Sequence, residues 1–198
     1  MRTKKITKET LTLDRMLTTG REMLLFIDIE DFNITKFVEK AKVGKGSFYN
    51  YFSTPYDVLR VVTNNEKEAC VKKLLEYYCR ISADTFSQKV ERMAIYLTTY
   101  INSSSAFQRF AGDSTSWYDH FTETVSSVPE CRQQFMNELN AYALSAGITA
   151  DKAMMNVHLL LTISARYSCE ALSRKKPMTF EEARIRIRKT ARELFPEG

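Results

Sequence analysis

The sequence predicts an all-α protein, with a small N-terminal three-helix unit followed by a larger helical unit. Apolar residues recur at helical spacing almost throughout, and no segment sustains the alternation of a strand. Glycine and proline are scarce, six and four in 198 residues, which suits long helices and few tight turns. Residues 28–54 stand apart, because there two short helical stretches are set between tight breaks.

The first helix covers residues 9–27, where Leu13, Met16, Leu17, Gly20, Leu24 and Ile27 fall on one stripe. "DIEDF" interrupts it. Asn33 then stands at an N-cap position, its side-chain oxygen placed to accept from an early helical N–H. Ile34, Phe37, Val38 and Ala41 follow the i, i+3, i+4, i+7 rule of a short second helix, which "KVG" ends. A third runs over residues 45–52. "STP" starts a fourth, with a Ser or Thr cap and a first-turn proline. The longer helices cover 55–80, 85–104, 114–127, 130–146, 150–174 and 179–195. "SSS" at 103–105, "SSVP" at 126–129, "AGIT" at 146–149 and "KKPM" at 175–178 separate the later ones.

Hydrophobic residues make up 44% and charged residues 27%, as in an ordinary globular protein and unlike a disordered one. The net charge of +5 permits a polyanionic partner without requiring one. It is denser in the first third: residues 1–60 carry +3 and the other 138 carry +2. Arg184, Arg188 and Arg192 recur every four residues, so they share one helix face, which reads as solvated surface. Cys70, Cys79, Cys131 and Cys169 form no CxxC and stand at no metal-ligand spacing with His120 or His158. They read as reduced, mostly buried thiols of a cytoplasmic protein that holds no metal and no cofactor. "MRTKKITKETLTLD" lacks the apolar run of a signal peptide, and no apolar run of about 18 residues predicts a membrane span.

Two short helices around a tight turn, the second with a polar face, form a helix-turn-helix pattern whose second helix can enter the DNA major groove. Phe37, Val38, Ala41, Val43, Phe48 and Phe52 are the inner face, placed to bury against the first helix. Lys45, Ser47, Tyr49, Asn50 and Tyr51 form the outer face. Lysine can reach phosphate or guanine, Ser and Asn can hydrogen-bond bases, and tyrosine offers a hydroxyl to phosphate and a ring to a thymine methyl. Gly46 lets the backbone come close to DNA. The same geometry occurs in helical units that never touch DNA, so the residues alone leave both readings open.

"FVEKAKVGKGSFYNYFSTPYDVL" resembles the DNA-binding signature of the TetR/AcrR family of bacterial transcriptional regulators, which looks like "IAERAGVSKGTLYHYFPSKEALL". Ala41, Val43, Lys45, Gly46, Tyr49, Tyr51, Phe52 and Leu59 match it, and Ser47 stands where Thr is usual. "RMLTTGREMLLF" is similar to the family's first helix, so the specific match covers roughly the first third of the chain. The resemblance implies a DNA-binding domain over 1–54 and a ligand-binding and dimerisation domain over 55–198. The implied DNA contacts are Asn33, Thr35, Lys42, Lys45, Gly46, Ser47, Tyr49, Asn50, Tyr51 and Thr54. The implied partners are a palindromic double-stranded operator, a second copy of the chain and a small-molecule inducer that releases a repressor. There are departures. Lys42 replaces the turn glycine, Gly44 the usual Ser N-cap, and Pro55 a lysine that in relatives often contacts phosphate. Asp28 replaces the glycine after the first helix; Asp tolerates a left-handed backbone better than most residues.

"ADKAMMNVHLLLTISARYSCEAL" is apolar nearly all round, more than one core-facing stripe needs. Both it and "FEEARIRIRKTARELF" can pack within one chain. The resemblance instead implies a four-helix bundle between two subunits, with Met154, Val157, His158, Leu161, Ile187, Ala191 and Leu194 as interface candidates. Tyr96, Tyr100, Phe107, Phe110, Trp117, Tyr118, His120 and Phe121 crowd one short region. They read either as core or as an apolar ligand pocket, and the resemblance implies the pocket. The alternative functions are a helical protein-interaction dimer without specific DNA binding and an all-helical enzyme. The enzyme reading finds no GxGxxG, P-loop, HExxH or GxSxG. Asp119 and His120 are neighbours on a predicted helix, so they point apart and form no oriented pair.

Overall fold

A computed structural model describes residues 8–82, 85–111, 129–172 and 178–196, and every described element is helical. The predicted helix over 114–127 lies outside the described residues. The chain divides into two compact units between Asn65 and Glu66. The division falls inside the fourth helix rather than at its start.

In the first unit, α1 spans Lys8–Leu24, a 3-10 turn Ile29–Asp31, α2 Ile34–Ala41 and α3 Lys45–Tyr51; α4, Pro55–Arg80, begins here. The first helix stops three residues short of the predicted Ile27, and Asp28 is extended (φ −77°), so no left-handed residue is needed there. Asn33 caps α2 as its sequence position predicts, accepting from Lys36 N–H at 3.1 Å. Met16, Leu24, Phe32, Phe37, Val38, Ala41, Phe48, Phe52, Val58 and Val62 are buried. The rings of Phe37 and Phe48 meet edge to face at 5.6 Å, which seats α2 on α3. Gly20 is a point of close approach: a Cβ there would lie 2.5 Å from Val58 Cγ1.

Thr54 does not cap α4 by accepting from its N–H groups. The Asp57 carboxylate instead accepts from the Ser53 and Thr54 N–H groups at 3.0 and 2.9 Å, and from the Thr54 hydroxyl at 3.2 Å. The backbone N–H of Thr54 is the main reason the Asp57 carboxyl stays below its ordinary range.

The second unit continues with α5 Phe86–Ser103, α6 Ser105–Ala111, α7 Pro129–Ser145, α8 Ala150–Leu172 and α9 Phe180–Leu194. The helix α6 is not predicted, since "SSS" in the sequence reads only as a break. Ser104 both ends α5 and caps α6, its hydroxyl accepting from Phe107 N–H at 3.2 Å. Thr179 and Glu182 form a reciprocal capping box at the start of α9. Helices α5, α8 and α9 pack on one another, and α7 packs on α8. Their shared core includes Leu75, Tyr78, Leu97, Phe107, Phe135, Leu161, Ile187 and Phe195. The arginine row of α9 is less solvated than predicted: Arg184 donates to Thr99 Oγ1 at 3.5 Å and Arg188 lies 3.8 Å from Glu91, both on α5. None of the four cysteines forms a disulfide, and only Cys70 is buried; Cys79, Cys131 and Cys169 are half-buried. No helix among the described residues is long and apolar enough to cross a membrane.

Candidate nucleic-acid interface

The α3 helix is held by one ring and open on the opposite side. Phe48 is fully buried. Gly46 and Asn50, one turn apart, lie on the side of α3 away from it, with Lys45 and Tyr49 as the adjoining row. Lys45, Gly46, Tyr49 and Asn50 are exposed and Ser47 is half-buried. A Cβ on Gly46 would meet nothing within 4 Å, so no internal contact calls for glycine there. Tyr49 is 54% exposed, with its ring set edge-on against Phe48 at 5.3 Å. That contact fixes the ring while leaving its outer face and hydroxyl to solvent.

Tyr51 behaves otherwise. Its hydroxyl donates to the Glu9 carbonyl at 3.3 Å, so it ties α3 to the start of α1. The predicted use of that hydroxyl on phosphate competes with this bond.

The turn between α2 and α3 is a Schellman ending. Lys42 N–H donates to Glu39 O at 3.1 Å and Val43 N–H to Val38 O at 3.0 Å. Lys42 itself is left-handed, φ 55° and ψ 47°, as its place at a family glycine implies. It is the one non-glycine with positive φ among the described residues. Its side chain is exposed, as are those of Asn33, Thr35 and Thr54. Exposed Lys36 and Tyr56, 57% exposed in the first turn of α4, join this set and are not among the residues predicted above. A basic residue three places after an N-cap, and an aromatic after the first-turn proline, were the available signals.

The other candidate sites fare differently. Val157, His158, Leu161, Ile187 and Ala191 are buried within the chain itself, at most 4% exposed, so they are not surface for a second subunit. The apolar pattern around α8 arises because α5, α7 and α9 all pack on it. Met154 and Leu194 are half-buried. The large apolar residues left exposed on α8 and α9 are Met155, Leu159 and Ile185, at 56, 45 and 56%. Of the aromatic set, Tyr96 stacks on Tyr77 at 4.2 Å, and Tyr100 meets buried Phe107 edge-on at 5.6 Å. The Phe110 side chain, Trp117, Tyr118, His120 and Phe121 lie outside the described residues. A groove of about 600 Å³ is lined by Ser87, Gln88, Glu91, Ala191, Arg192, Phe195 and Pro196, and by none of those aromatics.

No family model and no curated protein matches the chain. Solved structures match over nearly its whole length. A TetR transcriptional regulator from Rhodococcus sp. RHA1 is 15% identical, with 96% of this chain and 99% of that one covered and a TM-score of 0.58. A TetR-family regulator from Syntrophomonas wolfei is 17% identical, covering 94 and 95%, at a TM-score of 0.58. The regulator FadR from Bacillus subtilis, solved with stearoyl-CoA, is 9% identical, covering 93 and 98%, also at 0.58. The chain therefore has the fold of the TetR-family transcriptional regulators, a helix-turn-helix unit followed by a helical one.

Proposed function

We propose that this protein is a TetR-like repressor that binds a roughly palindromic operator as a homodimer in the cytoplasm and is released by a small molecule. The observation that carries the reading is the open side of α3, where Lys45, Gly46, Tyr49 and Asn50 stand free of the core on a helix seated by Phe48. Lys45 and Tyr49 reach phosphate and base edges, Asn50 reads a base, and Gly46 lets the backbone approach. Lys36, Lys42, Thr54 and Tyr56 add phosphate contacts around it. Tyr56 makes up for the lysine that Pro55 displaces. A two-fold dimer sets two such helices about 34 Å apart or a multiple of it.

The dimer face is built on Met155 and Leu159, one turn apart on α8, together with Ile185 of α9. The inducer binds the second unit. It acts through α4, which belongs to both units, by favouring a spacing of the heads that does not fit the operator. FadR with stearoyl-CoA is a neighbour of this fold with a bound small molecule.

The test is binding to fragments of the protein's own upstream DNA across a salt series, with wild type and Tyr49→Ala. Tight binding to one fragment, a steep salt slope and loss on substitution support the reading. Weak, sequence-blind binding equal in both proteins favours the interaction-dimer alternative.

A further inference from the structure

Lys67 stands in α4 just inside the second unit. With Val71, Leu74 and Tyr78 it falls at i, i+4, i+7 and i+11, on one face of the helix. Those three are fully buried members of the core, and Lys67 itself is 8% exposed. It is the one buried lysine among the described residues. Lys89 shows how this fold treats a nearly covered cation: its side chain is 12% exposed and its ammonium lies 2.7 Å from the Glu138 carboxylate. Lys67 forms no hydrogen bond or ion pair among the described residues. Glu66 is also buried, but consecutive helical residues point about 100° apart, and its charge bears on Cys70 one turn further along.

A lysine can bury its stem and keep its ammonium in water. At Lys67 burial holds the pKa below the ordinary 10.5, so the ammonium itself has lost water. A charge that gives up water and gains no partner destabilises the fold. Such a group is what a site for an oppositely charged ligand leaves behind when the ligand is away.

We propose that Lys67 anchors the small molecule of the second unit, and that this molecule is an organic acid with one carboxylate and an apolar body. The inference rests on the proposed control by a small molecule and names its chemical class. The carboxylate accepts from the Lys67 ammonium, in surroundings whose low polarity strengthens the pair. The apolar body follows from the stripe that Lys67 heads, where Val71 and Leu74 offer no polar group. A neutral amide of the same shape leaves the ammonium without its counter-charge and is rejected.

The experiment follows thermal melts of the full chain with two sets of acids. One is the straight-chain carboxylates from butanoate to dodecanoate, the other benzoate to 4-phenylbutyrate, and each acid is run beside its primary amide. The expected result is that at least one acid raises the melting temperature, by about 5–10 °C at a hundredfold excess over its Kd, while its amide does not. Lys67→Met removes the shift, and without ligand it melts at or above the wild-type temperature. A panel in which no acid shifts the wild-type melt overturns the proposal. So does an amide as effective as its acid, or a shift that survives in Lys67→Met. The comparison of acid with amide is made on the wild-type chain, so it decides even if the variant does not fold. No DNA enters these melts. An acid that binds through Lys67 yet leaves binding to the upstream DNA unchanged counts against the inducer reading and not against the site.

Discussion

Lys42 and Gly147 end their helices with the same backbone. Both are left-handed, at φ 55° and 65°. In each case the amide of the next residue reaches back five residues, Val43 to Val38 and Ile148 to Ala143, both at 3.0 Å. Glycine adopts that conformation without steric cost, whereas at Lys42 the Cβ crowds the following carbonyl, at about 1 kcal/mol. The strained residue is the one in the turn leading to α3, with its ammonium group exposed.

Lys42→Gly is therefore expected to stabilise the protein by about 0.5–1 kcal/mol, after allowing for glycine's greater freedom in the unfolded chain. Thermal melts of the two proteins check this, with Lys42→Ala as the control that keeps the strain. The same change is expected to weaken operator binding and flatten the salt slope by about one ion.

Gly20→Ala is expected to destabilise the first unit by about 1–3 kcal/mol, because Val58 is buried and branched and cannot swing away from the added methyl. Urea unfolding followed by circular dichroism measures it. An unchanged midpoint would contradict the close approach of α1 and α4.

Glu138 accepts from Lys89 at 2.7 Å, from Tyr78 at 2.6 Å and from Gln134 at 3.0 Å. Burial raises its pKa, but these three bonds outweigh that and hold it below the ordinary 4.5. A depressed carboxylate contributes its full stability above the unfolded value and loses it as pH falls from about 4.5 through the lower folded value. Glu138→Gln is expected to cost about 3 kcal/mol at neutral pH, since Lys89 is left nearly buried beside a neutral amide. As pH falls below that lower folded value the two proteins converge, which a pH series of melting temperatures tests.

Leu159→Arg is expected to leave a folded monomer, and Leu161→Arg an unfolded chain. Leu159 is 45% exposed and Leu161 is fully buried, although both lie on α8 two residues apart. Sedimentation and circular dichroism together separate the outcomes. A Leu159→Arg protein that remains dimeric would move the interface elsewhere.

The helix-turn-helix was legible because it is local. The spacing of Phe37, Val38 and Ala41, the Asn33 cap and the family signature all lie within some thirty residues, and α2 and α3 formed where they predicted. The α4 bounds were legible for the same reason, although the Thr54 hydroxyl donates to the Asp57 carboxylate rather than accepting from the helix. A hydroxyl next to a carboxylate can donate or accept, and only geometry chooses.

The helical class, the order of the main helices and the polar side of α3 can be read along the chain, since each depends on contacts between near neighbours. Which apolar residues of α8 and α9 are left uncovered depends on the packing of distant segments. Periodicity shows that a helix has an apolar side, but not how many other helices share it. With three helices packed against α8, Val157 and Leu161 became core while Met155 and Leu159 stayed outside. The bond from Tyr51 to Glu9 has the same origin: it joins elements whose approach is set by packing, and packing leaves no period in the sequence.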